Sequence, residues 1–491
     1  MSRIPLESVA LLVTALLVPC IAGAERVHRY AVAVDAELTT LRVEACFVGR
    51  SPLSLVAESQ EASSAFVEGK AGVAPSRPLS PNGMELSLKG VPDDGCIDYA
   101  VSLASARKMR DHSGNSNRWT GRDLVTEVGL WFWRPAALAA DEDIEVRFLL
   151  PEGYSASVPW RPVPGAAVPS YRVGRGAYTR TSDAAFGRFL EIPIEVPGAR
   201  LRLAVLSGKP QPDVEAMRRW IEDAAQSVAA IYGRFPVPDP QILVLPGAPA
   251  PEPTPWAYVL RGGSASAHFS VNQRRPLHEY VEDWTAPHEL SHLLLPATDP
   301  NDAWLSEGLA SYYQNVARAR SGVLTADEAW QNIHAGFRRG RKLDVKNLTL
   351  AQATQRMYRD SAYMRVYWQG AAILLAGDAE LRHRSGGRQS LDTVLDDFGR
   401  CCLDPDREWT AREVLQRFDE IAGSRVFLPI LDEQIDTPGF PDLTGLYARL
   451  GLEPLGGKVE LRADAPLSKA RDAIMAPGPY RTPRELLAPR S

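Results

Sequence analysis

The sequence predicts an α+β multidomain protein with an N-terminal antiparallel β-sandwich, a mixed α+β domain and a helical C-terminal region. Three observations carry that expectation. At about 100–200 residues per domain, a chain of 491 residues with 45% hydrophobic and 23% charged residues has the size and composition of several folded units. Short β-type runs broken by turn residues fill residues 25 to 206, with no helical pattern between them. After Gly208 the apolar spacing becomes helical. The 55 Lys and Arg against 60 Asp and Glu leave a net charge of −5. No long-range field draws such a chain to phosphate backbones, and nucleic acid is not an expected partner.

Residues 1–24 have the three parts of a secretory signal: Arg3, the apolar run Val9 to Val18, and the small residues Ala22-Gly23-Ala24. A mature chain beginning at Glu25 is expected to be exported, periplasmic or secreted, an uncleaved N-terminal anchor being the alternative. Pro19 before Cys20 argues against lipidation. No other segment is apolar enough to cross a bilayer, so no stable membrane span is expected once the signal is removed.

Residues 25–207 form the expected sandwich. Its strand signals include Tyr30 to Val34, Leu41 to Val48, Glu85 to Leu88, Ile97 to Leu103, Leu130 to Trp133, Ile144 to Leu149, Phe189 to Val196 and Leu201 to Leu206. The Ser-, Gly- and Asn-rich stretch Arg110 to Arg122 reads as a loop. In an oxidising compartment Cys46 and Cys96 can close a disulfide, with two buried thiols as the alternative. Such a bond contributes on the order of 4 kcal/mol if unstrained. Cys401 and Cys402 are adjacent, which disfavours a mutual bond, so they read as packed thiols or as partners for another chain.

The α+β domain spans 208–325. Asp213 is placed to cap a helix with Val214, Met217, Ile221, Ala225, Val228 and Tyr232 on one face. Ile242 to Leu245, Ala257 to Leu260 and Ala265 to Val271 read as a small sheet. Helical periodicity continues through 326–455. Residues 456–491 have few apolar positions in register and are expected to be a loosely held, extended tail.

The chemistry concentrates at His288-Glu289-Leu290-Ser291-His292. Residues four apart share a helix face, so His288 and His292 can point at one zinc ion as neutral imidazoles. Glu289 then lies beside the ion, where it can take a proton from a water that the cation has acidified. Eight His in 491 residues make a chance match rare. The bland alternative, a surface helix with two idle histidines, is further discounted by Trp304-Leu305-Ser306-Glu307-Gly308, an acid embedded in a second apolar helix. Glu307 is the expected third ligand. Two His and one Glu leave a fourth position open, as at catalytic and not structural zinc. Asn301 or Asp302 can cap the second helix.

These segments resemble the gluzincin metallopeptidases, in which a His-Glu-x-x-His helix precedes one bearing Trp-Leu-x-Glu-Gly. Tyr367-Trp368-Gln369-Gly370-Ala371 looks like the Tyr-x-Lys-Gly segment of the aminopeptidase N and glycyl aminopeptidase families. The stretch from Leu381-Arg382 to Ser390-Leu391-Asp392, and Gly445-Leu446 to Leu450-Gly451-Leu452, are similar to the glycyl aminopeptidases in particular. The resemblance covers roughly residues 210–455. It implies a thermolysin-like catalytic domain with one Zn²⁺ per chain on His288, His292 and Glu307, Glu289 as general base and acid, and Tyr367 as oxyanion donor. It also implies hydrolysis of peptide or protein substrates. For Tyr367 a role as core aromatic is the alternative, because Tyr363, Val366, Tyr367 and Gly370 share a helical stripe. Tyr312 and Tyr313 are the other candidates, with packing as their expected role.

The chain departs from the family pattern in three places, and the family's usual C-terminal PDZ domain is expected to be absent, because too few residues follow Gly456. The interval from His292 to Glu307 is about four residues shorter than in aminopeptidase N relatives, roughly one helical turn. Pro287 precedes His288, so the metal helix should begin just before it or bend there. The Gly-rich segment Arg261-Gly262-Gly263-Ser264-Ala265-Ser266-Ala267-His268 lacks the Glu with which these aminopeptidases hold the substrate ammonium. Aminopeptidase and endopeptidase modes therefore both stay open. The competing reading is a catalytically inactive gluzincin-like protein that captures peptides in the same cleft. Arg338-Arg339-Gly340-Arg341-Lys342 reads as a solvated helix end or an anion site, and His268, His278 and His334 as ordinary surface or core histidines.

Overall fold

Strand Arg26–Val34 opens the N-terminal domain with period-two burial, His28, Tyr30, Val32 and Val34 facing inward. A computed structural model describes residues 26–489 apart from 59, 73–75, 107–116, 175–176, 178–179, 345–347 and 405–406. The expected leader at 1–24 lies outside the described residues, as do residues 110–116 of the expected loop. The eight-stranded sheet runs in the order 161–162, 170–173, 142–149, 26–34, 40–46, 96–102, 66–71, 77–78. It is antiparallel except where Arg26–Val34 pairs in parallel with Glu142–Leu149. A three-stranded and a four-stranded sheet enclose one core with it, from Tyr30 to Phe186. Cys46 sits directly opposite Cys96 in the ladder and the two are bonded, Cα atoms 4.1 Å apart.

Two readings of this half are corrected. Leu130 to Trp133 is not a strand: a 3₁₀ turn at Val128–Leu130 feeds Trp131, Phe132 and Trp133 into the core. A continuous apolar run looks the same whether it is a buried strand or an irregular core insertion. The last two strands, Glu191–Val196 and Ala199–Val205, leave the sandwich and belong to the next sheet. Helix Val214–Ala229 is the reason: it is the crossover that lets Ala199–Val205 pair in parallel with Gln241–Pro246. As expected, Asp213 caps it, accepting from the Ala216 amide at 3.0 Å.

The resulting five-stranded sheet has the order 191–196, 199–205, 241–246, 266–271, 256–260, with Trp256–Leu260 antiparallel at its edge. One continuous core extends from Ile194 to Leu486, so the α+β domain and the helices after residue 325 share their packing. The tail is not loosely held. Ile474, Met475 and Leu486 enter that core, Arg320 Nε donates to the Ile474 carbonyl at 2.9 Å, and the Tyr480 hydroxyl donates to Asp223 at 2.7 Å. A few well-placed anchors hold the segment without a regular pattern. Cys401 and Cys402, read as separate thiols, are bonded to each other where the chain leaves helix Leu391–Cys401, Cys402 having φ −134° and ψ 6°. No helix among the described residues is long and apolar enough to cross a membrane.

Candidate metal centre

The His-bearing helix is short, Thr285–Ser291, followed by a 3₁₀ turn at His292–Leu294. Pro287 is its third residue, inside the first turn where amides have no intrahelical acceptor, so its missing N–H removes nothing. Asp283 accepts from the Thr285 amide at 2.9 Å to start the helix, and Ser291 Oγ donates to the Pro287 carbonyl at 2.6 Å. Arg261 braces the far end, its guanidinium donating to the His292 carbonyl at 2.6 Å. His288, Glu289 and His292 are all buried.

The interval from His292 to Glu307 is taken up by two 3₁₀ turns and a short bridge at Ala297–Thr298. Helix Ala303–Ser321 then begins with Asp302 at its N-cap position, but the carboxylate caps no amide of that helix. It accepts instead from Trp304 Nε1 at 3.3 Å and from the Ala411 amide at 2.8 Å. One turn on, Glu307 Oε2 comes within 3.4 Å of His288 Nε2 and 3.7 Å of His292 Nε2. The two imidazoles stand at 90° with centroids 4.9 Å apart. Their outer nitrogens are engaged, His288 Nδ1 at 2.7 Å from Gln314 Oε1 and His292 Nδ1 at 2.9 Å from Ser306 Oγ. That arrangement leaves both Nε2 atoms facing the carboxylate. Glu307 Oε2 is buried and accepts no hydrogen bond from any described residue. A buried carboxylate oxygen that accepts no hydrogen bond and lies between two inward-facing imidazole nitrogens fits a divalent cation.

Glu289 also lies within 4.8 Å of both histidines, with 4.0 Å to His292 Nε2, so a second carboxylate approaches the same imidazoles. Glu307 comes closer to His292. Burial drives the Glu289 carboxyl up to about 7, with His288 pulling down and Glu307 adding to the rise. Burial also pushes Glu307 up, but His292, His288 and the Tyr367 hydroxyl outweigh it and hold the carboxyl below its ordinary range. Burial pulls His292 down to about 4, whereas at His288 the two carboxylates overcome burial and raise the imidazole.

Tyr367 lies on helix Tyr363–Ser385, its ring stacked on His288 with centroids 6.2 Å apart. Burial and the Glu307 carboxylate keep its phenol protonated. It is delivered there by a helix crossing: a methyl at Gly308 would overlap the Gly370 backbone, and one at Gly370 would overlap the Trp304 carbonyl. Tyr312 and Tyr313 point elsewhere, their hydroxyls donating to Asp378 and Asp392 at 2.8 Å each. His268 is buried against Ser266 Oγ at 2.7 Å and His334 against the Tyr447 hydroxyl at 3.0 Å, both outside the cluster. Arg261, Gln314 and Ser306 were not singled out in the sequence. Ser306 adjoins Glu307, and Gln314 lies seven residues on, two turns along the same face, which was the available signal.

Comparison with known proteins places these features. Residues 271–373, which hold all five candidate site residues, match the M61 glycyl aminopeptidase family. No curated protein matches the chain. Among solved structures, an aminopeptidase N family protein from Idiomarina loihiensis is similar at 13% identity and TM-score 0.64, covering 87% of this chain and 78% of that one. An M1 zinc metallopeptidase from Deinococcus radiodurans is similar at 14% identity and TM-score 0.51, covering 85% and 96%. A mutant of that enzyme was solved with a Tyr-Ser-Ala substrate. Yeast LTA4 hydrolase is similar at 12% identity and TM-score 0.52, covering 85% and 68%.

Proposed function

We propose that this gluzincin-like peptidase, which resembles the glycyl aminopeptidases across the segment carrying its site, is an exported enzyme that hydrolyses peptide bonds with one zinc ion held by His288, His292 and Glu307. The observation that carries the assignment is Glu307 Oε2, buried without a hydrogen-bond donor at 3.4 and 3.7 Å from the two imidazole nitrogens. When bound, zinc supplies a Lewis acid that polarises the scissile carbonyl and lowers the pKa of a water. The residues of the chain do the rest. Glu289, beside the ligands, accepts the proton of the attacking water and passes it to the departing amine, so no net proton is gained or lost by the enzyme. Tyr367, kept as a phenol, donates a hydrogen bond to the carbonyl oxygen as negative charge develops on it. Gln314 and Ser306 keep the imidazoles oriented. The Cys46–Cys96 bond supports an oxidising, exported location.

The edge strand Trp256–Leu260 packs against the His-bearing helix and, among the described residues, pairs only with Ser266–Val271. Its free side can align an extended peptide by backbone hydrogen bonds. In the following segment Arg261 is committed to the His292 carbonyl and no carboxylate replaces the missing Glu. Peptides with blocked N-termini are therefore expected to be cut about as fast as free ones. Glu289→Gln tests the chemistry: it should retain stoichiometric zinc by elemental analysis and lose turnover by about 10²–10⁴-fold. Undiminished turnover in that variant removes Glu289 from the scheme.

A further inference from the structure

Beside the metal centre, between the helices carrying His288, Glu307 and Tyr367 and helix Ala326–Lys342, lies a cavity of about 500 Å³. His288 and Tyr367 line one wall, so an occupant touches one proposed ligand and the proposed oxyanion donor. Its charged lining is cationic: Arg318 and Arg339 face it, and no acidic side chain does among the described residues. Arg318 sits three turns beyond Glu307 on the same helix face and is 8% exposed. One of its nitrogens donates to the Glu282 carbonyl, while Nε is buried and has no partner. Asp283 above all, with Glu282 and Glu328, lies near enough to act on its charge, but none forms an ion pair with it among the described residues. Arg339, in the basic run noted in the sequence, lies over the Trp368 ring at 5.4 Å and likewise makes no ion pair among the described residues. A guanidinium with a buried, unpaired N–H is an incomplete hydrogen-bonding group. A carboxylate meets that need in fork geometry, whereas an ammonium adds to the repulsion.

We propose that this cavity is a subsite for a carboxylate of the peptide substrate, held by Arg318 and Arg339, so that the enzyme selects peptides by an anionic group and not by a terminal ammonium. The proposal rests on the peptidase reading above and supplies its substrate class. Two sources share the chemistry, an Asp or Glu side chain and the free C-terminal carboxylate. The absent carboxylate in the 261–268 segment agrees with both.

The test uses the zinc-loaded full chain and N-acetylated peptides in matched pairs: Glu against Gln, or Asp against Asn, with an amidated C-terminus, and free acid against amide in an uncharged sequence. The acidic member of one pair type should be favoured by about tenfold or more in kcat/KM, since a hydrogen bond to a charged group is worth about 1.5–3 kcal/mol. A preference in the first type identifies the side chain as the source, in the second the terminus. Arg339→Gln, at an exposed position, and Arg318→Met should each bring the ratio towards 1. An unchanged ratio in both variants, or no preference in either pair type, overturns the subsite. Calorimetric binding of the same pairs keeps the two readings apart: tighter binding of the acids without any turnover sinks the peptidase and keeps the subsite, and equal binding sinks the subsite.

Discussion

Each imidazole of the candidate metal centre has one nitrogen held by a neutral side chain, Gln314 for His288 and Ser306 for His292, so the rings are oriented without a second carboxylate. Such partners typically change metal affinity 10–100-fold when removed. Gln314→Leu should therefore weaken zinc binding by about that factor in chelator competition, with the fold intact by circular dichroism. Tyr367→Phe separates the two readings of that residue. As an oxyanion donor it should cost about 10²–10³ in kcat with zinc content and KM little changed. As a core aromatic it would leave kcat alone, because the ring that packs on His288 is preserved.

At the scale of elements, the site depends on how closely two helices cross. Gly308 follows the proposed ligand Glu307, and Gly370 lies three residues after Tyr367; the helices touch backbone to backbone there. A Cβ on either glycine must push the helices apart, and both site residues move with them. Gly370→Ala is expected to lower stability by about 1–3 kcal/mol in denaturant titration and to lose more activity than the stability loss explains. The glycines of the Glu-Gly and Tyr-x-x-Gly segments are thus contact residues of the crossing, a role that a sequence pattern displays without revealing.

At the scale of the whole molecule, the C-terminal segment closes back on the catalytic core through Asp223. Burial raises its carboxyl to about 6, against the Tyr480 hydroxyl that bonds it and pulls the other way. The folded state holds that proton more tightly than the unfolded chain. The contribution is complete below about pH 4 and is lost as pH rises through about 6, an effect on the order of 3 kcal/mol. Asp223→Asn should remove this loss, melting higher than the parent above about pH 6 and no higher near pH 4. A melting difference independent of pH would count against it.

Much of the candidate site is legible in the sequence. The His-Glu-x-x-His spacing and the acid in the second apolar helix are local patterns, and a helix of known pitch turns spacing into direction, whereas Tyr367 is pointed to by the family resemblance and its stripe suits a core aromatic equally. The strand signals at Tyr30 to Val34, Leu41 to Val48 and Ile97 to Leu103 and the cap at Asp213 are local in the same sense. What the sequence alone determined was therefore which side chains could act and which secondary elements carry them. Tertiary structure decided what those elements meet: that strands 191–205 join the sheet of the α+β domain, that the tail is pinned, that adjacent cysteines bond at a helix end, that Gln314 and Ser306 hold the imidazoles, and that two arginines line the adjoining cavity. Periodicity encodes a face and its polarity, whereas the identity of the partner on that face is set by packing between residues far apart in the chain.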